Sequence, residues 1–209
     1  MIDAVTALER LRQGNQRFVT GVRSLETMLS HTRRGELASG QKPFAIILGC
    51  SDSRVPAEIV FDQGLGDLFV IRVAGNIVAP SQIGSVEFAA AQFQTRLVVV
   101  LGHSQCGAVC STIEELKRPS GEQSMNIRSI VGRIRPSVET LMDTDLINDE
   151  DELIHQAVRA NVRASANHLR HGSDALEKLI TTEGLLVVGA EYSLETGIVD
   201  FFDGLPEGF

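Results

Sequence analysis

The sequence predicts an α/β fold: a central parallel β-sheet of about four strands, an antiparallel C-terminal edge strand, flanking helices and an N-terminal helical arm. Short apolar runs rich in β-branched residues are typical of buried parallel strands, and they recur at 44–49, 68–73, 97–101 and 185–190. Segments with helical spacing alternate with these runs, which predicts right-handed strand–helix–strand connections. A turn at 193–197 leads into a last strand at 197–202, which indicates a terminal antiparallel hairpin.

The helical arm precedes the first strand. Residues 3–19 carry Val5, Leu8, Leu11 and Phe18 at helical spacing, and a weaker helix is predicted at 24–39. The arm packs either on a partner subunit or on the chain's own sheet, and its sequence favours neither. Further helices are predicted at 56–61, 82–94, 105–117, 125–140, 150–170 and 173–181, with the acidic residues 143–152 forming a solvated linker.

The bulk composition limits the classes of protein. A chain of 209 residues with 43% hydrophobic content can form one core, so we expect a single domain over 1–209, with the arm at 1–40 and the α/β core at 41–209. A net charge of −8 argues against nucleic acid as a partner, and no apolar run is long enough to cross a membrane. No secretory signal is evident and three cysteines are too few for a disulfide framework, so we expect a cytoplasmic protein.

Two polar motifs follow two of the predicted strands. Cys50 comes directly after the first strand, and His103 and Cys106 follow the third. Because parallel strands present their carboxyl ends at one edge of a sheet, these three side chains can meet there. Two thiolates and one imidazole suit Zn²⁺, and three ligands leave the fourth position open, as in catalytic zinc sites. The alternative is that the cysteines are small core residues, and this is the favoured interpretation of Cys110.

Asp52 and Arg54 lie close to the first cysteine. An arginine opposite Asp52 would keep the carboxylate ionised, and an ionised carboxylate only accepts hydrogen bonds. Beside a metal, Asp52 could therefore accept a proton from metal-bound water. The alternative is that Asp52 or Ser53 caps a helix and that Arg54 is a surface residue.

The two motifs together resemble those of the β-class carbonic anhydrases. They are Cys-Ser-Asp-Ser-Arg-Val-Pro-Ala-Glu at 50–58 and Gly-His-Ser-Gln-Cys-Gly-Ala-Val at 102–109. The similarity covers 40–110 closely and the terminal hairpin more loosely. The resemblance implies reversible hydration of CO₂ to bicarbonate and a proton by zinc-bound hydroxide, with one Zn²⁺ per chain on Cys50, His103 and Cys106 and a catalytic pair, Asp52 and Arg54.

The resemblance also implies a substrate pocket and an assembly. Gln41 would donate an amide hydrogen bond to bicarbonate, and Gly107 would offer its backbone N–H. Phe69, Ala74 and Phe88 would form the apolar wall for CO₂. The working unit would be a homodimer or homotetramer with its active site at the subunit interface.

One subgroup of the family has a bicarbonate pocket that includes a tryptophan three residues before the first cysteine. Here that position is Ile47, and the chain has no Trp, although Arg72 matches the arginine of that pocket. The resemblance therefore implies the subgroup without this pocket. We expect Asp52 to pair with Arg54 at neutral pH instead of binding zinc.

Other functions remain open at this point. The same ligands could serve a hydrolase of a CO₂ analogue, carbonyl sulfide or carbon disulfide. Cys50, Cys106 and Cys110 could belong to a zinc-storage or redox protein, which would not need Asp52 and Arg54, and a non-catalytic scaffold or sensor could keep the same fold. No residue is identified as the proton shuttle, because the other histidines are more typical of surface or packing positions: His31, His155, His168 and His171.

Overall fold

A computed structural model describes residues 2–23, 35, 37–118 and 124–209. Its five-stranded sheet has the order β2-β1-β3-β4-β5. These strands, β1 to β5, span Ala45–Gly49, Leu68–Arg72, Leu97–His103, Leu186–Tyr192 and Val199–Asp203. β1 to β4 pair in parallel, and β5 runs antiparallel to β4. The predicted fold class, including its antiparallel edge strand, is confirmed.

The helices lie close to their predicted positions. Helices α1 to α7 span Ala4–Thr20, Ala57–Val60, Pro80–Gln92, Gly107–Lys117, Met125–Glu139, Glu150–His171 and Asp174–Glu183. The second arm helix, predicted at 24–39, falls mostly outside the described residues. Within the described ranges, no helix combines the length and the apolar character needed to span a bilayer.

The sheet is covered on both faces because neighbouring side chains of a strand point to opposite sides. On one face, Ile47 and Val99 pack in a core with α1 and α2. On the other, Leu48 and Val100 pack in a core with α3, α6 and α7. A third cluster beyond the strand ends contains residues of α4, α5 and α6 and encloses Cys50.

Helix α1 of the arm packs on the chain's own sheet. Leu8 and Leu11 are fully buried in the core. The buried Asn15 donates hydrogen bonds to the carbonyl oxygens of Val60 and Gly197 and accepts one from the backbone N–H of Val199. Because these partners lie far from α1 in sequence, they fix the helix against the body of the domain.

The acidic segment is more ordered than a solvated linker. Residues 140–143 and 145–148 form short 3-10 turns. Asp149 is the N-cap of α6 and accepts a hydrogen bond of 3.2 Å from the backbone N–H of Glu152. Acidic residues in the first turn of a helix are stabilised by its dipole, so the charges at 150–152 begin a helix.

The end of β3 determines where the site lies. The strand is two residues longer than predicted because Gly102 and His103 pair with Glu191 and Tyr192 of β4. A Cβ on Gly102 would lie 2.5 Å from Cγ2 of Val162, so this glycine lets α6 approach the sheet. His103 is therefore the last residue of a buried strand.

Candidate metal centre

Three candidate ligands meet at the carboxyl ends of β1 and β3. Cys50 follows β1, His103 ends β3, and Cys106 is the N-cap of α4. Since β1 and β3 are parallel neighbours, their ends lie side by side. The two sulfur atoms and an imidazole nitrogen lie within 4.8 Å of one another, and all three residues are buried.

A tight turn brings His103 and Cys106 to the same side. Gln105, between them, has a left-handed backbone with φ of 53°. This conformation costs about 1–2 kcal/mol in a residue with a Cβ, so other contacts must hold it. Ser104 supplies them: its backbone N–H donates to the Tyr192 carbonyl at 2.9 Å, and its hydroxyl accepts from the backbone N–H of Leu194 at 2.9 Å.

The imidazole is oriented as a metal ligand would be. Nδ1 of His103 lies 3.0 Å from the carbonyl oxygen of Ser104, which can only accept, so Nδ1 carries the proton. Nε2 then has a free lone pair, and this atom is buried without a hydrogen-bond partner among the described residues. A backbone carbonyl on the far nitrogen is a common partner of a metal-binding histidine. The donor set therefore fits zinc.

The two sulfurs affect each other's ionisation, and their pKa values shift in opposite directions. A hydrogen bond from Cys106 lowers the pKa of Cys50 to about 4, and the backbone N–H of Gly75 donates to the same sulfur at 3.3 Å. The same bond, together with burial, raises the pKa of Cys106, because its ionisation would place a second negative charge beside the first. A bound cation would favour the loss of this second proton.

A bidentate ion pair borders the three ligands. Nε of Arg54 donates to Oδ1 of Asp52 at 2.9 Å, and Nη2 donates to Oδ2 at 2.7 Å. These bonds lower the pKa of Asp52 below its ordinary value. Oδ2 lies 3.9 Å from Nε2 of His103, so the carboxylate borders the ligand set. The helix-cap alternative does not match, because α2 begins after Pro56 without a side-chain cap.

Arg72 holds the loop that carries these groups. Its Nε donates to the Cys50 carbonyl at 2.9 Å, and its Nη2 donates to the Asp52 carbonyl. Sequence reasoning matched Arg72 to another subgroup's pocket and missed this contact. The available signal was its place at the carboxyl end of β2, next to the end of β1.

Two of the predicted substrate residues lie beside the ligands. Ala74 precedes Gly75, whose N–H reaches the Cys50 sulfur. Gly107 follows Cys106 as the exposed first residue of α4, and the first N–H groups of a helix have no partner within it.

The other three lie elsewhere in the subunit. Gln41 is exposed at the amino end of β1 and lines a cavity of about 700 Å³, with the length of β1, about 16 Å, between it and the metal ligands. Phe69 lies on the edge strand β2, with its ring centroid 6.3 Å from that of Phe88 on α3. Phe88 is 55% exposed. A single subunit does not bring these residues to the ligands.

Cys110 lies one turn further along α4 and is half-buried, and burial raises the pKa of its thiol. Among the described residues, the group of possible ligands contains Cys50, His103 and Cys106 and does not include this thiol. The structure thus separates Cys110 from the candidate metal centre.

Comparisons with known proteins identify the family of this chain. The family model described as carbonic anhydrase matches residues 45–199. Carbonic anhydrase 2 of Mycobacterium tuberculosis is 41% identical over 196 residues, covering 92% of this chain and 90% of the relative. The carbonic anhydrase of Mycolicibacterium smegmatis is 38% identical over 200 residues, covering 94% and 92%.

The fold has solved counterparts. One of two tetrameric β-carbonic anhydrases from Sordaria macrospora aligns with a TM-score of 0.72 and 26% identity, covering 85% of this chain and 89% of that one. The sequence match extends over most of the chain, and 85% of the chain aligns in three dimensions with the solved structure. This chain therefore belongs to the β-class carbonic anhydrase family.

Proposed function

We propose that this chain catalyses the reversible hydration of CO₂ to bicarbonate and a proton, with one Zn²⁺ per chain held by Cys50, His103 and Cys106. The observation that carries the proposal is the buried Nε2 of His103, which has no hydrogen-bond partner among the described residues and lies beside two sulfur atoms. When bound, zinc supplies the Lewis acidity that makes water nucleophilic near neutral pH. The three free cysteines suit a reducing cytoplasm, where we place the enzyme.

Asp52 orients the attacking water in this proposal. Arg54 donates one hydrogen bond to each carboxylate oxygen of Asp52, and this fixes the orientation of the carboxylate. Each oxygen keeps a lone pair that can accept a further hydrogen bond. An ionised carboxylate can accept a hydrogen bond from the attacking water and align the water's lone pair with CO₂. Asp52 could bind the metal itself only by giving up its bonds to Arg54. We therefore assign the chain to the subgroup in which this pair persists at neutral pH.

The substrate site combines residues of two subunits. Ala74 and Gly107 belong to the subunit that holds the metal, and the Gly107 N–H can donate to a bicarbonate oxygen. Gln41, Phe69 and Phe88 would come from the partner. The exposed aromatic ring of Phe88 at the β2 edge supports this, since large exposed apolar groups mark interfaces. The working unit is then a homodimer, alone or paired into a tetramer, of a single-domain chain over 1–209.

Mixing two defective variants tests the shared site. Gln41→Ala and His103→Ala should each be impaired alone. Coexpressed, they should regain activity in heterodimers, where one site has intact ligands from one chain and Gln41 from the other. Random pairing restores about a quarter of the sites. CO₂ hydration of the mixture, compared with the separate variants, is the measurement. A strictly additive rate would show that each chain forms its pocket alone.

The function itself is tested by zinc content and CO₂ hydration measured together from pH 6.5 to 9. We expect one zinc per chain and loss of the rate when the metal is removed by a chelator. The rate should rise towards alkaline pH, because two thiolate ligands make the metal a weaker Lewis acid for water. Zinc-loaded protein that does not hydrate CO₂ would overturn the proposal. Sulfide release from carbonyl sulfide and carbon disulfide, assayed in parallel, separates the hydrolase alternative.

A further inference from the structure

The turn at 74–76 contacts a candidate metal ligand through its backbone. The N–H of Gly75 donates to the Cys50 sulfur at 3.3 Å. Gly75 has a left-handed backbone, with φ of 68° and ψ of 20°, and a Cβ there would lie 2.7 Å from Cδ1 of Ile134. The left-handed backbone favours glycine here, and a Cβ would also displace the end of the Ile134 side chain. The N–H points at the sulfur only while that backbone conformation holds.

Helix α6 holds this turn from its other side. Nδ2 of Asn161 donates to the Gly75 carbonyl at 2.8 Å, and Oγ of Ser165 donates to the Asn76 carbonyl at 3.0 Å. Both side chains are buried, Asn161 at 1% exposure and Ser165 at 5%. Burying a polar group without a hydrogen bond costs free energy. The bonds to the turn therefore account for the burial of these two side chains.

We propose that Asn161 is a positioning residue for the Cys50 thiolate, acting through Gly75. Gly75 is bonded at both ends, with its carbonyl on Asn161 and its N–H on the sulfur. Without the amide, the carbonyl loses its partner and the N–H is free to rotate away from the sulfur. Partners of this kind orient metal ligands and tune their donor strength. The inference rests on the zinc site of the proposed function and adds a residue 111 positions away from Cys50 in the chain.

Ser165 provides a matched control. It lies one helical turn beyond Asn161 and makes an equivalent bond to the same turn, but to Asn76, whose carbonyl is one residue further from the N–H that meets the sulfur. Asn161→Ala and Ser165→Ala therefore each remove one buried hydrogen bond from the same helix and turn. A purely structural role predicts similar effects for both.

The experiment measures zinc affinity by competition with a chelator, and the thiolate-to-metal charge-transfer absorption of the cobalt-substituted protein. Asn161→Ala should weaken zinc binding about tenfold and shift the cobalt band, whereas Ser165→Ala should change affinity by no more than about twofold. Asn161→Leu, which fills the space without a donor, should behave like Asn161→Ala and replaces it if the alanine variant does not fold.

Equal effects of the Asn161 and Ser165 variants, or an unchanged cobalt band, would overturn the positioning role. In that case the parent protein would still bind zinc and hydrate CO₂, and the proposed function would stand. A parent protein that binds no zinc would overturn both proposals.

Discussion

Cys106→Ser is expected to lose tightly bound zinc and, with it, CO₂ hydration, by a factor of about 1000 or more. A hydroxyl stays protonated at neutral pH and is a far weaker zinc ligand than a thiolate, so Cys50 and His103 would be left as two ligands. Serine is close in size to cysteine and is a favoured N-cap, so α4 should still begin at Gly107. Zinc content and stopped-flow hydration of CO₂ are the measurements.

Cys110→Ser is the matched control for this variant. It makes the same chemical change one helical turn further along α4, outside the ligand group. We expect zinc content and rate to stay at parent levels. Loss of zinc from the Cys110 variant would favour the storage or redox alternative, in which all three thiols take part.

Asp52→Asn should keep zinc but lower the rate of CO₂ hydration by about 100-fold or more. The amide has the same shape as the carboxylate, but it has one oxygen for two Arg54 donors and directs an NH₂ group at the other. The attacking water then loses its ionised acceptor, while the three metal ligands are unchanged. Full retained activity would refute the role of Asp52. Asp151→Asn, the same change at an exposed residue of α6, should have no effect.

The pH dependence separates Asp52 from the group that limits the rate. Arg54 lowers the pKa of Asp52, so the carboxylate is already ionised throughout pH 6.5–9 and cannot cause the expected rise in activity. The rise should therefore persist in Asp52→Asn, with its midpoint moved to lower pH because a negative charge beside the metal centre has been removed. The pair stabilises the fold above the unfolded pKa of the aspartate, about 4, and this contribution is lost only in more acidic solution.

The sheet and the candidate ligands could be predicted from the sequence because both depend on local patterns. Runs rich in β-branched residues predict β1 and β3. Cys50, His103 and Cys106 come at the ends of these runs and must therefore lie at one edge of the sheet. The end of β3 was missed by two residues, since pairing of Gly102 and His103 with β4 depends on how that strand aligns. Asn161 left a weaker signal, as a polar residue in the buried stripe of α6.

Periodicity in the sequence predicted the fold class, and two short motifs, through the family they resemble, pointed to the three candidate ligands and the Asp52–Arg54 pair. Only the tertiary structure shows which hydrogen bonds position these side chains. The bond from Gly75 to Cys50 spans 25 residues and that from Asn161 to Gly75 spans 86, so both depend on packing that no local pattern encodes. Packing also places Gln41 at the opposite end of β1 from Cys50, which is why the proposed pocket needs a second subunit.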